Sequence, residues 1–182
     1  MRTAFLSFAL IGSGLVATTG AAPAGEGDGC AHFSWDVSHE LELMRQAPRT
    51  LVAAASPGDA TVQIETDHLY ELRLAPQGSV KYALPPGKPT LDDSAQGGLV
   101  HLRVIAAGLY RVSLTTGHWV DVIAGGQFIK SKDFQGARGC ERPHKIVEFE
   151  LPAGTDLILQ FSGATAATVR VAVTPVAPAA GR

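Results

Sequence analysis

No segment of the sequence is apolar for the roughly 20 residues that a helix needs to cross a bilayer. The uncharged, mostly apolar stretch 4–16 falls short, and nothing later is longer. Cysteine is scarce: Cys30 and Cys140 are the two, and neither has a C-x-x-C neighbour, which argues against a thiolate zinc site. No G-x-S-x-G occurs, so Ser113, Ser131 and Ser162 lack the strand-to-helix elbow that exposes a nucleophilic serine. Positive charge is never clustered. The 15 Lys and Arg residues, set against 17 Asp and Glu, are scattered, which removes nucleic acid as a partner because phosphate binding needs a basic stripe. Repeats of solenoid period are absent too.

What is present begins with an export address. Arg2 precedes the apolar stretch and Ala22-Pro23-Ala24 follows it, the layout of a cleaved signal peptide over residues 1–24. The Gly27-Asp28-Gly29 context of Cys30 lacks the residues that precede a lipidated cysteine. The expected product is periplasmic or secreted, with no integral membrane segment after cleavage. Residues 25–174 form one domain, and the Pro/Ala-rich residues 175–182 form a flexible tail. Loss of Arg2 takes the balance to 14 minus 17, a net charge of −3. In an oxidising destination the two cysteines have one intramolecular pairing, Cys30 with Cys140.

Residues 30–48 carry the expected helix. Asp36 or Ser38 is placed to cap it, Val37, Leu41 and Met44 recur on one face, and Pro48 stops it. Phe33 and Trp35 seat the segment on the domain. From Thr50 the apolar period becomes two. Strands are expected at 51–55, 60–65 and 68–74, with a short edge strand at 81–84 before a long loop. Further on, Val100/Leu102/Val104, Tyr110/Val112/Leu114 and Val147/Phe149/Leu151 alternate with polar residues, and Gly turns separate the runs. Short strands spaced by turns predict a mostly-β fold, an antiparallel β-sandwich of jelly-roll type with one short N-terminal helix.

The run GLVHLRVIAAGLYRVSLTTGHWVDVIAGG resembles the β-sandwich modules of exported bacterial proteins, the pre-peptidase C-terminal type among them. That resemblance implies a fold and no activity. CAHFSWDVSHELEL, DFQGARGCERPHKIVEFEL and LILQFSGA are similar to segments of a family of small exported bacterial proteins. Some members carry the name homogentisate 1,2-dioxygenase. That name implies a metal-dependent enzyme with iron held by two histidines and a carboxylate, and the ligand motif of that enzyme matches no position here.

Three kinds of site are candidates. For metal, His101, His118 and His144 can meet only if separate strands bring them together. His118 and Asp121, three apart on a strand, point to opposite faces. For nucleophilic catalysis, Cys140 lies four residues before His144 between Arg138 and Arg142, unless it is oxidised. The carboxylates Asp92-Asp93 and Glu148/Glu150 have the pattern of solvated loop and strand-face residues. For binding, Trp119 shares a face with Asp121 and Ile123. Turned outward it offers a ring for stacking on a sugar or an apolar ligand, and turned inward it belongs to the core. The loop 133–144 adds Asp133, Phe134, Gln135, Arg138, Glu141, Arg142 and His144, with Lys145 at its end. The pattern requires no cofactor. It favours a non-catalytic binding or accessory protein for a glycan, small molecule or protein. A metal-dependent enzyme and a structural module using a sheet edge are the alternatives.

Overall fold

The computed structural model describes residues 28–59, 62–89 and 92–176. The expected signal peptide and all but the first two residues of the expected tail lie outside the described residues. Among those described, no helix is long and apolar enough to cross a membrane.

Two sheets pack face to face. The first has the order β1 (Arg49–Val52), β3 (Leu69–Arg73), β12 (Thr168–Pro175), β6 (Gly108–Leu114), β10 (Lys145–Leu151) and β9 (Ser131–Gly136). The second runs β2 (Gln63–Ile64), β5 (Gln96–Leu102), β11 (Leu157–Ala164), β7 (Trp119–Ala124) and β8 (Gln127–Ile129), with β4 (Ala75–Pro76) also paired to β5. From β5 onward the chain crosses repeatedly between sheets, the mark of a sandwich rather than a βαβ fold. Each sheet is antiparallel except for one parallel pair at its edge, β1 with β3 and β2 with β5.

The period-two rows face each other across the core. Val100 and Leu102, Val112 and Leu114, Phe149 and Leu151, and Leu157, Leu159 and Phe161 are all buried in one cluster. The outer face of the first sheet is covered by α1 (Ser38–Met44), whose Leu43 and Met44 pack on Leu69 and Ala172. Asp36 accepts hydrogen bonds from the Ser38 N–H and hydroxyl one residue ahead of the cap position, which Val37 occupies. The helix is turned from the expected face: Glu40 is buried with Val37, Leu43 and Met44, and Leu41 is only half-buried.

Glu40 is buried because it has partners. It accepts a hydrogen bond from Thr174 Oγ1 (2.8 Å) and lies 3.5 Å from Arg111 Nη1. Arg111 Nε donates to Glu148 (3.0 Å), its Nη1 donates to the Asp36 carbonyl (2.6 Å), and its guanidinium lies 4.8 Å from the Trp35 ring centroid. Glu148 is therefore a buried ion-pair partner, not the solvated strand-face residue that its pattern predicts.

Two segments depart from the expected strands. Residues 81–84 form no strand. They lie in a stretch that packs on the outer face of the second sheet, where Val80, Tyr82 and Ala83 cover Leu99 and Ile158. The first third of the expected loop 133–144 belongs to strand β9. Its sequence, SKDFQG, is exposed on both faces, so no alternation marks it.

Cys30 and Cys140 form the expected disulfide. Beside it, Gly29 lies so close to the backbone of Arg138 and Gly139 that a side chain would collide with the Arg138 carbonyl. The Ser34 N–H and hydroxyl bond to Gln135 of β9, which fastens the same segment again.

Candidate functional site

β8 pairs only with Val122–Ala124, so the first half of β7, including Trp119, has no strand on that side. β9 is the edge of the other sheet. Between these edges the sandwich opens into a cleft of about 320 Å³, walled by Lys88, Pro89, Trp119, Val120, Phe134 and Lys145.

Alternation places each wall. Phe134 stands opposite Val147 in the β9–β10 register, so it points inward, yet it is 70% exposed because no strand of the second sheet covers it. Trp119 lies on the outer face of its sheet, opposite in phase to the buried Val120, and is 38% exposed. The inward alternative for Trp119 is thereby removed. Its Nε1 donates to Asp121 Oδ1 (2.8 Å), which fixes the ring. Asp121 Oδ2 accepts from the Gly87 N–H (2.9 Å) and from Gln160 Nε2 (3.3 Å). A side chain at Gly87 would meet Asp121 Oδ1 at 2.6 Å, so the loop carrying Lys88 approaches this carboxylate by backbone alone. Asp121 is thus a positioning residue for both the ring and the loop.

The cleft is cationic. Lys88 Nζ and Lys145 Nζ lie 5.8 and 6.0 Å from the Trp119 ring centroid. Neither ammonium has an ion pair among the described residues. Burial, and then the charge of Lys88, push Lys145 down to about 8.

His118 precedes Trp119 and turns inward. Its Nδ1 is 2.6 Å from Thr116 Oγ1, and its buried Nε2 makes no hydrogen bond of good geometry among the described residues. Burial first, and the charge of Lys145 second, lower its pKa to about 4, with the backbone of Ala164 pulling the other way. The unfolded chain takes up this proton near pH 6.5 and the folded chain only near 4, so the contribution of neutral His118 is complete above 6.5 and is lost as pH falls. Urea unfolding between those pH values is expected to show a loss of about 1.4 kcal/mol per pH unit from this group. His118→Gln should flatten that slope, and equal slopes in the two proteins would contradict the assignment.

The other candidates separate. Arg142 and His144 line a second depression of about 480 Å³ with Thr115, Glu141 and Arg170. Asp133 accepts from the Phe134 N–H, Gln135 is occupied with Ser34, and Arg138 is exposed in the turn before Cys140. Of the expected binding residues, Trp119, Phe134 and Lys145 line the cleft, and Asp121 holds the Trp119 ring. Cys140 is in the disulfide and offers no thiol beside His144. His101, on the outer face of the second sheet, bonds to Asp156 (3.0 Å), His118 faces inward, and His144 is exposed in a turn. No three His, Cys, Asp or Glu residues among those described are grouped to hold a metal, so they do not fit a centre of two histidines and a carboxylate.

Lys88, Pro89 and Val120 were not among the candidates. Lys88 sits in an aperiodic loop, held beside it by the contact of Gly87 with Asp121 and further back by the Gln160 amide bonding to the Leu84 carbonyl. The chain matches no family model, and no curated protein is significantly similar to it.

Proposed function

We propose that this is an exported, non-catalytic binding protein whose cleft takes a small ligand with a flat apolar ring. The observation that carries this reading is the pair of exposed rings, Trp119 and Phe134, on the walls of one cleft. Exposed aromatic surface in a concave site of roughly 300 Å³ or more is the usual form of a small-molecule pocket. The signal-like residues 1–24 and a disulfide compatible with an oxidising compartment support export.

Calorimetric titration with naphthylmethanol tests the site. Saturable binding is expected, weakened about tenfold by Trp119→Ala, which removes a ring contact contributing about 1 kcal/mol beyond its buried area. Binding unchanged from wild type in both Trp119→Ala and Phe134→Ala would place the ligand elsewhere.

A further inference from the structure

Resting on that reading of the cleft, we propose that it selects rings bearing a single negative charge, with the anionic group between Lys88 and Lys145 and the ring against Trp119 and Phe134. Two ammonium groups lie within 6.0 Å of one aromatic centroid without an ion-pair partner among the described residues. A cation near a ring face gains only part of what it loses on leaving water, and the gain is small at this distance.

Asp121, the carboxylate that holds the ring, forms no ion pair with either lysine among the described residues. Both oxygens of Asp121 are committed, one to Trp119 Nε1 and the other to Gly87 N–H and Gln160 Nε2. The positive charge therefore stands open toward the cleft. Val120 and Val147 line the same cleft and lower the local polarity, which strengthens the attraction for an entering anion. The suppressed basicity of Lys145 agrees with this, since an anion would relieve the charge that burial and Lys88 penalise.

The walls distinguish a carboxylate or sulfonate from a phosphate. Among the described residues they contain no arginine, whose planar fork suits phosphate, and α1 packs on the outer face of the first sheet, away from the cleft.

Naphthoate, naphthylmethanol and naphthylmethylammonium share a ring and differ in charge, and calorimetry on the full chain at neutral pH compares them. Naphthoate should bind about tenfold more tightly than the alcohol, and the ammonium compound more weakly than either. In the double variant K88M/K145M, naphthoate should bind no more tightly than the alcohol binds to that same variant. Measurable alcohol binding by the variant, at whatever affinity, shows that its cleft is formed. Equal affinities for naphthoate and the alcohol in the wild-type protein would overturn the charge preference and leave the ring site standing. A preference persisting in K88M/K145M would also overturn it. If no naphthyl compound binds, the ring site fails and the charge preference fails with it.

Discussion

Arg111→Met is expected to lower the free energy of unfolding by about 3–5 kcal/mol, the usual cost of stranding a buried charge. The side chains of Glu40 and Glu148 are only 4% and 11% exposed, and Arg111 lies between them at 3.5 and 3.0 Å. Methionine fills the volume without neutralising either carboxylate. Such a loss is a fifth or more of the stability typical of a domain, about 5–15 kcal/mol. Urea denaturation measures it directly. The variant R111M/E40Q/E148Q should recover part of the loss, because both carboxylates are then neutral. A change below about 1 kcal/mol in Arg111→Met would mean that the pair behaves like an exposed one.

The same network explains which parts of the molecule were legible. The inner rows of β5, β6 and β10 could be read because their core residues alternate with His101, Arg111, Ser113, Glu148 and Glu150. In α1 the same logic misassigned the buried face. A glutamate counts as exposed in any pattern, whereas Glu40 is buried by virtue of Thr174, 134 positions away. β9 was hidden for the opposite reason: an edge strand with Lys132, Asp133 and Phe134 all exposed has no buried face to announce it.

At the site, Trp119 and Phe134 were visible as residue types, but their geometry was not. β7 reads WVDVIA, with apolar residues on both faces, so alternation alone left Trp119 undecided. Its outward position follows from the Asp121–Gly87 contact, which joins positions 34 apart through an irregular loop. Lys88 is carried into the cleft by that same contact. Long-range polar contacts of this kind leave no periodic trace in a sequence.

Removing the disulfide, as C30S/C140S or by reduction, is expected to cost about 4–5 kcal/mol, since it closes a loop of 110 residues in the unfolded chain. Most of that change lies in the unfolded state, so the native fold should persist with a lower denaturation midpoint. The N-terminal segment remains fastened by Ser34 to Gln135 and by Arg111 to the Asp36 carbonyl. Denaturation with and without reductant gives the size of the effect, and two free thiols in unfolded, unreduced protein would contradict the pairing. The two losses should not add. With Cys30 free, the segment in the Arg111→Met protein can lift away and carry Glu40 into water, which relieves one of the stranded charges. The cost of Arg111→Met should therefore be smaller in C30S/C140S than in the oxidised protein, as expected for contacts that hold a shared element. Strict additivity would show that α1 is held by its apolar face, Leu43 and Met44 on Leu69 and Ala172, whatever happens at Cys30.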